Sequence, residues 1–300
     1  MPGTSPVPSL PPDVGVFDRA APFPPNTPGP WWPQDPNYQW HILAEGDSWF
    51  TIAALPSSNL LFELRFARWA QICNLAYPGD TIKHVGALAT NGDLQRLLAR
   101  PGFAWRWDAL VLSGGGNDLI DSARNLIRPP LPGQNPALPQ SYIDDQGLRQ
   151  LLGDIQQAFQ AIVALRDAPG SLSRGCPVVT HTYDYPTPRN EPARFIGTIP
   201  LTGPWLFPVF AHSGLGLPLQ QTIVNLLMDR LAEALLALDM RRGGPLALPN
   251  FHVVDTRNTL LMANPADVGV SNDWLNEIHP SLTGYRKIAA RLSQRLSELL

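Results

Sequence analysis

The stretch Trp40-His41-Ile42-Leu43-Ala44-Glu45-Gly46-Asp47-Ser48-Trp49 reads as an apolar strand that runs into a turn and then into a helix start. A serine at such a junction is held out of the sheet, beside the free backbone N–H groups of the first helical turn. Both features suit a nucleophile whose attack creates an oxyanion. Gly-Asp-Ser is equally ordinary turn chemistry, so the rest of the chain has to decide between the two readings.

Outward from this stretch the pattern repeats. Apolar, partly β-branched runs at 40–44, 70–76, 109–113, 177–183 and 251–255 read as buried strands. Helical patterns lie between them at 57–70, 81–100, 146–167 and 218–241, with a last one at 283–299. This alternation predicts an α/β fold with a parallel sheet covered on both faces and with catalytic groups at the carboxyl ends of the strands. Residues 1–36 contain 12 of the 33 prolines and no periodicity, so they read as an arm or tail preceding a domain over 37–300. Trp31-Trp32, with Trp40 nearby, would pin the end of that arm to the domain. Two inserts interrupt the domain, a Pro-rich one at 128–144 and an apolar one at 184–217 that carries Phe195, Ile199, Trp205, Leu206, Phe207 and Phe210. A long apolar loop over strand ends reads as a lid or substrate wall, or as a loop packed on the core.

Composition excludes several classes. The net charge is -3 and the 22 lysines and arginines are scattered, which gives no footprint for nucleic acid. No apolar stretch approaches the ~20 residues needed to span a bilayer. No basic n-region or apolar h-region opens the chain, an absence that favours a soluble, cytoplasmic protein. Cys73 and Cys176 read as small buried hydrophobes, with no metal site expected from two thiols.

Four segments fall at strand ends. Besides Gly46-Asp47-Ser48-Trp49 there is Asn74-Leu75-Ala76-Tyr77-Pro78-Gly79-Asp80-Thr81, in which Gly79 lets a backbone N–H approach a ligand and Asp80 or Thr81 caps a helix. Ser113-Gly114-Gly115-Gly116-Asn117-Asp118 offers Asn117 as a side-chain donor, and its glycine spacing fits no phosphate-binding loop. Asp273-Trp274-Leu275-Asn276-Glu277-Ile278-His279-Pro280 places His279 in a polar loop as the best general base of the six histidines. His41 and His252 lie in strands, His84 lies on a helix, and His181 and His212 lie near the apolar insert. No pair has zinc-ligand spacing.

Together these segments resemble the SGNH (GDSL-type) hydrolase family over about residues 40–298. The resemblance implies a three-layer α/β/α, flavodoxin-like fold with a parallel, about five-stranded sheet. It implies Ser48 as nucleophile, His279 as base, an oxyanion hole from Ser48, Gly79 and Asn117, and no cofactor or metal. The implied activity is hydrolysis of a small-molecule carboxylic ester through an acyl-enzyme. Transfer of the acyl group to an alcohol or sugar is the alternative, and an inactive binding module on the same fold is a further one. The family places aspartate three residues before the histidine, where this chain has Asn276. Asp273 in the same loop is favoured as third member on proximity, with Asp255 and Asn276 as rivals. Glu277 is expected to face solvent or cap the last helix, and Asp184 to shape the pocket. The aromatics of 184–217 would line an apolar substrate site.

Overall fold

In a computed structural model the described residues are 14–18, 37–51, 58–87, 91–101, 104–195 and 199–300. Trp31 and Trp32 lie outside them. The chain runs β1 (Val14–Asp18), β2 (Trp40–Gly46), α1 (Ser48–Thr51), β3 (Ala70–Asn74), α2 (Ile82–Gly86), α3 (Gly92–Leu98), β4 (Ala109–Ser113), α4 (Gly116–Leu126) and α5 (Asp145–Arg166). It continues with β5 (Val178–His181), β6 (Ala193–Phe195), β7 (Ile199–Thr202), α6 (Phe207–Phe210), α7 (Leu217–Leu236), β8 (Phe251–Val254) and α8 (Leu282–Leu299).

Six of these strands form one parallel sheet in the order β1-β3-β2-β4-β5-β8. All residues of β3, β4 and β5 are buried, and nearly all of β2, which requires cover on both faces of the sheet. Helices α2, α3, α4 and α7 pack around α5, and α8 packs against β8. The sheet has six strands rather than about five because Val14–Asp18, inside the Pro-rich segment, pairs along the β3 edge. Those five residues contain no proline, so every ladder donor is present.

Two expected helices take other forms. Over 58–69 the chain is turns and extended segments, although Leu60, Leu61 and Leu64 are fully buried. The Asn59 side chain accepts the Phe62 N–H at 3.1 Å, and the Arg65 N–H goes to Ser293 Oγ of α8 at 2.9 Å. Local side-chain capping and a bond to α8 take the donors that a helix would have used. The span 81–100 is two short helices, with the Asn91 side chain capping the second at Leu94 N–H. Gly86 ends the first against α5, where an added Cβ would lie 2.7 Å from Ala158 Cβ.

Strand β2 is central. Ser48 follows its carboxyl end, Gly79 follows β3 on one side, and Asn117 follows β4 on the other. The loop after β8 at the far edge returns to the same end with His279. The 128–144 insert is closed by an antiparallel bridge between Ile127 and Ile143. The 184–217 insert holds the β6–β7 hairpin and α6.

Candidate active site

The turn that carries Ser48 is built by close packing and capping. An added Cβ at Gly46 would lie 2.3 Å from the main-chain oxygen of Ser113, so only glycine lets β2 pass β4 at this point. Asp47 then caps α1, its Oδ1 accepting the Trp49 N–H at 3.0 Å. The Trp49 indole N–H reaches back to the Ile278 carbonyl at 3.2 Å and so ties the serine's turn directly to the histidine's loop.

Ser48 Oγ lies 2.8 Å from His279 Nε2. His279 Nδ1 lies 3.0 Å from Asn276 Oδ1. The same Oδ1 accepts the main-chain N–H groups of Ile278 at 3.1 Å and His279 at 2.9 Å. These two main-chain donors identify this atom as the amide oxygen. They also set the tautomer: Nδ1 carries the hydrogen, and Nε2 is left bare toward the serine hydroxyl. His279 is 2% exposed, and burial holds its pKa down to about 4. An amide opposite Nδ1 does not offset that burial as a carboxylate would.

Neither aspartate considered for the third position contacts His279. The Asp273 carboxylate takes the Leu261 N–H at 2.7 Å and Lys287 Nζ at 2.5 Å. Asp255 is paired with Arg257 at 2.6 Å and accepts Thr182 Oγ1 at 3.0 Å. Proximity in sequence favoured Asp273, but a lysine one helical turn into α8 claims its charge. Asn276 occupies the orienting position instead.

Gly79 has φ +84°, the left-handed conformation that favours glycine, with open space where a Cβ would stand. Its turn is fixed to the next block, because Asn117 Nδ2 donates to the Asp80 carbonyl at 2.9 Å. An amide nitrogen has two hydrogens, so one remains for a ligand. Thr81 caps α2, accepting the His84 N–H at 3.2 Å. Ser48 and Asn117 line a cavity of about 30 Å³ together with Ile120, Pro186, Met228, Trp274 and Ile278. Asp184 also lines it, while its carboxylate holds the N–H groups of Asn258, Thr259 and Leu260.

The apolar insert contributes differently from expectation. Phe210 and Leu206 are core residues, and Trp205, Phe207 and Phe210 are not among the cavity's lining. Trp205 instead stands edge-on to the His279 imidazole, with ring centres 5.5 Å apart. Side chains at 195 and 199 lie outside the described residues. Glu277 is not solvent-facing: it is 1% exposed, and Ser281 caps α8 in its place.

A second serine–histidine–aspartate cluster lies behind the first and was not foreseen from sequence. Ser113 Oγ donates to Asp47 Oδ1 at 2.8 Å and lies 3.1 Å from His181 Nε2. Tyr183 OH donates to Asp47 Oδ2 at 2.5 Å. Ser113 and His181 are both 0% exposed, so no substrate reaches them, whereas Ser48 borders the cavity. The cluster braces the Asp47 turn from below. The alternation rule hid it, because His181 sits in a strand and Ser113 in a glycine-rich block.

Among the described residues no group of His, Cys, Asp and Glu is placed to hold a metal ion, and no helix is long and apolar enough to cross a membrane. Cys73 and Cys176 are unbridged, and burial pushes the Cys176 thiol up to about 12.

No family model matches the sequence, and no curated protein matches it. Among solved structures the chain is similar to an extracellular lipase from Streptomyces rimosus, with 16% identity, 84% of this chain and 98% of that chain covered, and a TM-score of 0.48. It is similar to the aryl esterase of M. smegmatis, with 14% identity, 86% and 99% coverage, and a TM-score of 0.45. It is also similar to phospholipase A1 from Streptomyces albidoflavus NA297, with 13% identity, 84% and 98% coverage, and a TM-score of 0.44.

Proposed function

We propose that this chain is an SGNH-type serine hydrolase that cleaves carboxylic esters through an acyl-enzyme. The observation that carries the reading is the line Ser48 Oγ, His279 Nε2 and Nδ1, Asn276 Oδ1, with both contacts at hydrogen-bond distance beside a cavity. The four sequence blocks, in their order along the chain, support the same class.

In this mechanism Ser48 Oγ bonds to the ester carbonyl carbon as its proton passes to His279 Nε2. The carbonyl electron pair moves onto oxygen, where the Ser48 and Gly79 N–H groups and Asn117 Nδ2 stabilise it. Loss of one such donor costs roughly 3 kcal/mol in related chemistry. Collapse expels the alcohol, which takes the proton from His279. Water then repeats the sequence on the acyl-enzyme and releases the acid. An acyl acceptor other than water would make the same intermediate a transferase, so comparing hydrolysis with alcoholysis separates these two outcomes.

The cavity beside Ser48 is small, which supports short acyl groups over long ones. The test is a fluorophosphonate probe followed by an ester panel of increasing acyl length. Wild type should be labelled at Ser48, with kcat/KM highest for acetyl or propionyl esters. Ser48→Ala should lose labelling and ~10⁵-fold or more in kcat. Absence of labelling in folded wild type would favour the binding-module reading, and a maximum at long acyl chains would overturn the short-acyl assignment.

A further inference from the structure

Glu277 sits in the loop between Asn276 and His279, yet its carboxylate points away from both. Its Oε1 accepts the Phe207 N–H at 2.6 Å and the Arg189 N–H at 3.2 Å. Its Oε2 accepts the Leu206 N–H at 2.8 Å and also the Trp205 N–H. Three consecutive amides of the insert therefore converge on one side chain of the base's own loop. A buried carboxylate needs such donors, and the α6 turn needs an acceptor for its free N–H groups. The main-chain N–H of Glu277 closes the junction from the other side by donating to the Glu191 carbonyl at 3.1 Å. The segment that these bonds fix is the one that sets Trp205 against the His279 imidazole.

We propose that Glu277 is a positioning residue that clamps the 205–207 segment so that Trp205 covers the imidazole of His279 and excludes water from the base. The inference rests on His279 being the base for its catalytic consequence, but the cover itself is a property of the fold. Its action differs from that of a substrate wall. Trp205 touches the base rather than the cavity, so the clamp governs kcat across acyl lengths and leaves KM nearly constant.

The charged groups around the clamp are few. Arg189 feels Glu277, Glu191 and Asp267, while its Nη1 is spent on the Gly269 carbonyl at 2.7 Å. Glu191 is paired with Arg194 at 2.8 Å. On the imidazole side, Asp47 is held by Trp49, Ser113 and Tyr183, and Asp273 by Lys287. Burial pushes the Glu277 carboxyl up to about 7, with the four N–H donors pulling the other way. The clamp thus carries its full charge only above neutral pH.

Diethyl pyrocarbonate modification at pH 8.5, read residue by residue by mass spectrometry, tests the cover without reference to turnover. His84 and His212, both exposed, serve as internal references. His279 should be protected in wild type and should react about tenfold faster or more in Glu277→Gln and in Trp205→Ala. In a pH profile of kcat/KM, wild type should gain a step between pH 6 and 8 that Glu277→Gln lacks, the amide behaving as the protonated acid at every pH. Equal protection of His279 in wild type and both variants would overturn the clamp, as would persistence of the step in Glu277→Gln. If Glu277→Gln does not fold, Trp205→Ala decides alone, since its side chain is half-buried. Loss of fluorophosphonate labelling in wild type would sink the esterase reading and leave the protection result standing.

Discussion

Asn276 is the residue at which this site departs from a carboxylate-based triad. An amide in that position is harmful when its NH₂ faces the histidine, because it then enforces the wrong tautomer, and such a change costs ~10⁴-fold in a serine protease. Here two main-chain N–H groups hold Oδ1 toward Nδ1 and keep the useful tautomer. What the amide lacks is charge to stabilise imidazolium. Asn276→Asp should therefore raise the His279 pKa from about 4 toward its ordinary 6.5 and, in the proposed mechanism, increase kcat at pH 8 by up to about tenfold per unit gained. The sign follows from the base working in its neutral form, so the variant's acid limb moves to higher pH. A kcat/KM profile that keeps its acid limb in place would show that burial alone governs the base. The motif made the pair Ser48 and His279 legible, because both stand in short polar blocks at strand ends. Sequence distance favours Asp273 but says nothing about Lys287, which pairs with it from the next helix while Asn276 faces the imidazole.

At the level of elements, the strand–turn–helix from Trp40 to Thr51 was readable because each residue has a local reason: apolar strand, glycine at the crossing, aspartate cap. Gly46→Ala tests the crossing. A methyl group 2.3 Å from the Ser113 carbonyl oxygen forces β2 away from β4, and urea unfolding should show a loss of about 3 kcal/mol or more. A change below about 0.5 kcal/mol would mean that the two strands separate freely there. The segments at 58–69 and 81–100 were misread for the opposite reason. Their leucine spacing is helical, but Asn59 and Asn91 side chains compete for backbone donors, and Gly86 is chosen by its contact with Ala158 on α5. Periodicity registers burial and is blind to which partner buries the residue.

Across the whole molecule, four blocks drawn from residues 46 to 280 meet at one end of the sheet, and His279 in the last block, like His181 in β5 and His252 in β8, is buried without a carboxylate partner on its ring. His252 and His279 are both held down to about 4, and His181 is also lowered, in each case chiefly by burial. These groups are neutral when folded and bind protons when unfolded below about 6.5, so their contribution is complete above that pH and is lost as pH falls toward 4. Glu277, raised to about 7, acts in the opposite direction, its contribution being lost as pH rises through 7. Thermal unfolding should thus show Tm falling between pH 6.5 and 4, and falling more steeply in Glu277→Gln. A flat Tm over that range in both proteins would contradict the burial of the histidines. The sequence by itself determined the alternation of strands and helices, the parallel sheet and the four blocks, because these depend on apolar period and turn chemistry within about ten residues. Only the tertiary structure decided that residues 14–18 add a sixth strand, that Asn276 rather than Asp273 faces His279, and that Glu277 holds Trp205 over it. Each of those depends on which distant backbone donors and charges converge on a side chain, and that is set by how the layers close rather than by any local pattern.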